Sequence, residues 1–229
     1  MPLSGTGFSI ESLETMLNYV IKNNADILIM PWGTVENGFE LSADKKAIIA
    51  KAAQKGRNGK GCVITVPVGN EGVDHINFYA QNPDVIAVAA STSEDEHPDY
   101  SNTGEGITVC APSNGGYYPL FAARASWDEG ISGETGAGRW YYGDGIDRGK
   151  YLQHFGGTTG SAAIVGGICA LILSANYNLT AQEVKQILIE TADKIGQTAE
   201  YDSNGYSKKY GYGRVNAAKA VALALKKRK

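Results

Sequence analysis

Apolar residues recur at helical spacing early in the chain. Ile10, Leu13, Leu17, Val20 and Ile21 follow Ser9, a residue suited to an N-cap. A short continuous apolar run comes next, Asp26-Ile27-Leu28-Ile29-Met30, and three more follow at Cys62 to Val68, Val85 to Ala90 and Ile107 to Ala111. Such runs suit strands buried on both faces of a parallel sheet. Ser42 caps a predicted helix through Lys55, which ends at the glycines of Gly56-Arg57-Asn58-Gly59. Thr159 to Ser174 reads as a buried helix, Thr180-Ala181-Gln182-Glu183 as a capping box opening a helix to Ala192, and Asn216 as the cap of a last helix. Strands alternating with helices predict an α/β fold with a mostly parallel sheet flanked by helices. The stretch 113–157 breaks the pattern. It is rich in Gly, Tyr and Trp without clear periodicity, and reads as a long loop that covers a surface or lines a ligand.

Composition narrows the class. Of 229 residues, 43% are hydrophobic and 20% charged, with a net charge of -3, as expected of one ordinary domain. The even charge balance speaks against a nucleic-acid binder. The apolar stretch from Ala162 to Ala175 is too short to span a bilayer, so no membrane partner is expected. Glycine, at 29 residues, is well above its usual share of about 7%. Three cysteines, Cys62, Cys110 and Cys169, each sit in an apolar run at spacings that fit neither disulfides nor zinc, and read as small buried hydrophobes. The N-terminal MPLSGTGFSIESLE has no basic or apolar signal region. With free cysteines, that predicts a cytoplasmic protein if residue 1 is the true start.

Familiar cofactor motifs are missing. No G-x-G-x-x-G follows a strand, no G-x-x-x-x-G-K-[ST] occurs, and His75, His97 and His154 are scattered. Two segments carry chemistry instead. Val66-Pro67-Val68-Gly69-Asn70-Glu71-Gly72 is a strand running into Gly-Asn, which points an amide into the crevice where α/β proteins bind ligands. That amide can donate to a developing oxyanion. Phe155-Gly156-Gly157-Thr158-Thr159-Gly160-Ser161 is a hydroxyl-rich turn opening a helix, beside free N–H groups and the positive end of the dipole. Read alone, these hydroxyls serve equally as helix caps.

Together with five further segments, the two make a set. Those five are Ala25 to Gly33, Gly59 to Val63, Tyr100 to Gly104, Cys110 to Gly116 and Tyr210 to Ala217. In this order the chain resembles the subtilisin-like serine proteases, the subtilases, in the branch near the kexin-type convertases. The resemblance implies a subtilisin-like fold lacking its N-terminal elements, with 1–229 a single partial domain. It implies that Thr159 stands at the nucleophile position, Asn70 at the oxyanion position, and Pro31, Trp32, Gly33, Val68 and Gly69 along the substrate. It implies peptide or protein substrates. Calcium, frequent in the family, is implied by resemblance only, because no acidic cluster in the sequence matches a binding loop.

The departures shape the functional expectation. The family places Ser in a Gly-Thr-Ser turn, where this chain has Gly157-Thr158-Thr159, and the added methyl crowds a site built for Ser. Pro31 replaces the usual Ser before Trp-Gly. No Asp-Thr-Gly or His-Gly-Thr motif, which carry the family's Asp and His, occurs in these 229 residues. In subtilisin, loss of Ser or His costs about 10⁶ in rate. The chain is therefore expected to be a degenerate subtilase homologue, inactive alone but keeping a peptide-binding groove. One alternative is a split enzyme completed by a partner chain carrying Asp and His. Another is an interaction domain that uses the aromatic loop from Tyr117 to Trp140.

Overall fold

A computed structural model of the chain describes residues 10–35, 41–123, 141–142 and 151–228. Helix α1 (Ile10–Lys22) leads to strand β1 (Ile27–Ile29) and helix α2 (Ala43–Lys55). The Ser42 side chain accepts from the Lys45 N–H, so the predicted cap is formed. Strands β2 (Val63–Pro67), β3 (Ile86–Ser91) and β4 (Val109–Pro112) then complete a parallel sheet in the order β1-β2-β3-β4. Its register pairs Ile27 with Val63, Thr65 with Ile86, and Val88 with Val109.

Alternate residues of each strand feed opposite layers. Ile64, Val66, Ala87 and Ala89 pack with α1 and α2 around Leu13, Leu17 and Ile49. Val63, Ile86, Val88 and Val109 face the other way, onto helices α3 (Gly157–Ala175), α4 (Ala181–Thr191) and α5 (Ala217–Lys226). With both faces covered by helices, the strands need no polar alternation, which is why their sequences are continuous apolar runs. The capping box at Thr180 and Glu183 is formed in both directions, and the Asn216 side chain caps α5.

Two expectations need revision. The stretch 113–157 is not a structureless loop. It holds β5 (Leu120–Ala123), β6 (Tyr141–Tyr142) and β7 (Tyr151–Phe155), a small antiparallel sheet in the order β5-β7-β6. These strands are short, and the gaps between them are longer than the windows in which alternation shows. Most of the proposed aromatic contact surface, residues 124–140, lies outside the described residues. Helix α3 is also longer than its apolar stretch, with nineteen residues. It passes the length and composition test for a membrane span, but half of it is buried in the protein. Burial against the sheet identifies it as the core helix.

Candidate active site

The site forms where β1, β2 and α3 converge. Beyond β2, Gly69 turns the chain with φ +112°, a left-handed value natural to glycine. Asn70 follows, and its side chain meets the first turn of α3. Its Oδ1 accepts from the Thr158 N–H at 2.7 Å and from the Thr158 hydroxyl at 2.9 Å. With that oxygen engaged, Nδ2 is the group left to donate toward a ligand. Thr158 itself is fully buried, and the Gly69 N–H donates to its hydroxyl at 3.3 Å.

A second clasp holds Gly157. Its N–H donates to Asn114 Oδ1 at 2.9 Å, and its carbonyl accepts from the Ser113 hydroxyl at 2.8 Å. The first N–H groups of a helix have no partner within it. Here those of Gly157 and Thr158 are taken by two asparagine oxygens, and the next in the turn belongs to Thr159. Ser161 points elsewhere, as its place two residues further round the helix predicts. It is buried and donates to the Ala111 carbonyl at 2.8 Å, fastening α3 to β4. Thr65 adds a similar tie, donating to the Ala162 carbonyl at 3.1 Å.

Across from α3, Pro31-Trp32-Gly33 continues from β1. Asn77 fixes it by donating to the carbonyls of Trp32 and Pro67, both at 3.0 Å. A side chain at Gly33 would overlap that asparagine. These segments enclose a cavity of about 220 Å³ lined by Pro31, Trp32, Gly33, Asn70, Thr158 and Thr159, among others. Gly69 and Glu71 complete its wall on the β2 side. The structure thus brings together all the sequence-derived site residues except Val68. Val68 is fully buried in the core, and its carbonyl accepts from Asn77 N–H and Asn102 Nδ2. The resemblance put it along the substrate; here its side chain turns into the core, and it is not part of the cavity lining.

Electrostatics near the site come from one carboxylate. Glu71 Oε2 accepts from the Asn70 N–H at 2.8 Å and from Asn102 Nδ2 at 2.7 Å, which fixes the loop after β2. No imidazole lines the cavity among the described residues. His75 packs edge-on against Phe78, and His97 against Tyr210. His154 lies in β7, and its side chain is outside the described residues. Larger clefts occur elsewhere, one of about 610 Å³ between Glu94–His97 and Lys194–Tyr210, but they contain neither segment that carries the chemistry. The roles of Asn77, Asn102 and Asn114 were missed in the sequence. The available signal was positional, since Asn114 follows β4 as Asn70 follows β2.

What this arrangement can do is hold an extended peptide against Pro31–Gly33 and offer Asn70 Nδ2 to a carbonyl oxygen beside Thr159. A 35% identical relative, a calcium-dependent protease of Nostoc sp., aligns over 222 residues, or 90% of this chain and 33% of its own length. The kexin of Candida albicans is 33% identical over 97% of this chain and 22% of its own length. The chain therefore spans about a third or less of these relatives. Among solved structures, the prenylagaramide maturation protease PagA superposes with a TM-score of 0.71 at 19% identity, over 97% of this chain and 70% of that one. The patellamide maturation protease PatA gives 0.69 at 21% identity. The model of the Peptidase S8 subtilase family matches residues 1–213, and the chain belongs to that family.

Proposed function

We propose that this chain keeps the peptide-binding and oxyanion side of a subtilase site and does not, by itself, cleave peptides at a protease's rate. One observation supports the reading above others. Asn70, Thr158, Thr159 and the Pro31–Gly33 segment surround one cavity, while the described lining includes no imidazole. Thr159 can attack a carbonyl only if a base takes its proton, and a β-branched nucleophile has fewer rotamers in which to do so. What remains is recognition. The backbone of Pro31–Gly33 pairs with an extended peptide, and Asn70 contacts a carbonyl.

A second reading has the chain as one part of a split endopeptidase, with Asp and His supplied by a partner polypeptide. The sheet edge at β1, which has a neighbour on one side alone among the described residues, favours it. Calcium comes into either reading through the name of the Nostoc relative. Among the described residues no group of three or more His, Cys, Asp or Glu is placed to hold a metal ion, so calcium here would rest largely on carbonyl and amide oxygens.

A fluorophosphonate probe and a fluorescent peptide library separate these readings. The isolated chain is expected to bind peptide, to lose that binding in Asn70→Ala, and to leave Thr159 unlabelled. Labelling of Thr159 in the isolated chain at the rate of an active subtilase would overturn the proposal.

A further inference from the structure

Two asparagines hold the first turn of α3, and one short segment of chain is bonded to the turns that carry both. Residues 98–102 lie between β3 and β4. The Tyr100 hydroxyl donates to the Asn114 carbonyl at 3.0 Å. On the Asn70 side, the Tyr100 carbonyl accepts from the Gly72 N–H at 2.9 Å, and the Asn102 N–H donates to the Gly69 carbonyl at 3.2 Å. Asn102 Oδ1 accepts from the Glu71 and Val73 N–H groups at 3.0 and 3.2 Å. The segment is itself fixed to the sheet, because the buried Ser101 hydroxyl accepts from the Ala90 N–H of β3 at 3.2 Å.

Asn114 is not among the residues that line the cavity, so it touches no ligand there. Its contacts are with the start of α3. Its Oδ1 takes the Gly157 N–H, and a side chain at Gly156 would overlap its amide, so the chain leaves room for this asparagine. Ser113 holds the carbonyl of the same Gly157. Gly157 has no side chain to lock it, and its backbone is the freest in the turn. Rotation there swings the N–H of Thr159, the donor that the two asparagine oxygens leave for a ligand. That donor and Asn70 Nδ2 come from different elements, α3 and the loop after β2. One carbonyl oxygen accepts from both only if their separation is held, since an N–H···O bond weakens beyond about 3.2 Å.

We propose that Asn114 is a positioning residue for peptide binding. By holding Gly157, with its own backbone held by Tyr100, it sets the Thr159 N–H beside the carbonyl that Asn70 Nδ2 contacts. The inference rests on the peptide-site reading above and adds to it a residue that acts without touching the peptide. An asparagine that only capped α3 would stabilise the helix and leave the bound carbonyl unaffected. A positioning residue alters how that carbonyl is bonded.

The probe is the tightest-binding member of the fluorescent peptide library, synthesised with one ¹³C-labelled carbonyl at a time and bound to the full 229-residue chain. The infrared band of one labelled carbonyl should move to lower wavenumber as it accepts from Asn70 and Thr159. Asn114→Ala should weaken binding about tenfold, the worth of one hydrogen bond, and reverse most of that shift even at saturating peptide. Asn114→Asp keeps an oxygen for the Gly157 N–H. It should retain the shift and bind within about threefold of the parent chain. Tyr100→Phe removes only the hydroxyl on the Asn114 carbonyl, and should weaken binding and reduce the shift in the same direction. It carries both readouts if Asn114→Ala does not fold. A full shift at saturation in Asn114→Ala, with only the melting temperature lowered, makes Asn114 a helix cap alone and overturns the inference. So does an equal loss in Asn114→Asp. A parent chain that binds no peptide overturns the peptide-site reading and this inference with it. Parent-like binding in both Asn114→Ala and Tyr100→Phe overturns this inference alone.

Discussion

Burial raises the Cys62 thiol to about 12, against the opposing pull of Arg57. Cys169 is raised to about 12 by the same cause, and Cys110 is pushed up as well. Thiols held neutral in a packed interior are poor nucleophiles. Ellman's reagent at pH 8 should therefore find no reactive thiol in the native chain and three in guanidinium. The apolar runs around these cysteines made their burial legible in the sequence. His97 was not legible in that way, because its neighbours in sequence are polar. It is lowered below 6.5, first by desolvation and then by Lys209, with Glu200 and Asp99 opposing. The unfolded chain thus takes up this proton at a higher pH than the folded one. Stability from neutral His97 is complete above pH 6.5 and is lost as pH falls through the lower folded value. Urea unfolding across this range should show a flatter pH slope for His97→Gln than for the parent chain. The role of Gly157 is conformational. At φ +73°, an alanine costs about 1–2 kcal/mol, and its Cβ would stand 3.2 Å from both polar atoms of the Asn70 amide. Gly157→Ala should lower stability by that amount in urea and weaken peptide binding by displacing Asn70.

Elements were read from the sequence where capping and periodicity agreed. The box at Thr180 is the clearest case. Glu183 Oε2 accepts from the Thr180 N–H at 2.7 Å and from the Thr180 hydroxyl at 2.9 Å, which holds the Glu183 carboxyl below its usual range, and the Thr180 hydroxyl accepts from the Glu183 N–H at 3.2 Å. Thr180→Ala should cost about 1 kcal/mol of folding stability, measured by thermal or urea unfolding. The parallel strands were equally plain, since a strand buried on both sides has no polar alternation to lose. Short antiparallel strands such as β6, of two residues, carry too few positions for a period to show. The pairing of β5 with β7 joins residues about 30 positions apart, which no local propensity encodes.

Across the whole molecule, distant segments meet through a few buried polar groups. Arg57 is the main example, being 2% exposed. Its Nε donates to Asp26 at 2.8 Å, and its other nitrogens donate to the carbonyls of Leu179 and Tyr177, both at 3.0 Å. The start of β1 is thereby joined to the loop between α3 and α4. Arg57→Ala should lose roughly 3 kcal/mol in urea unfolding, because it strands those carbonyls and leaves Asp26 unpaired. Nothing in the sequence around Arg57 announces this, since its partners lie 31 and about 120 positions away. The clasps at the candidate site show the same division. Gly69-Asn70 and Gly157-Thr158-Thr159 were legible as turns at the ends of a strand and a helix. That Asn70 Oδ1 binds Thr158, that Asn114 holds Gly157, and that Val68 turns inward depended on how β2, β4 and α3 pack. The sequence by itself determined the order of the helices and of the parallel strands, the caps, the burial of the thiols and the family, because these follow from local periodicity and short motifs. Only the tertiary structure decided that Thr158 is bound by Asn70, that Ser161 fastens α3 to β4, and which sheet edge has no strand beside it among the described residues. Those outcomes depend on contacts between residues tens of positions apart, and local pattern carries no record of them.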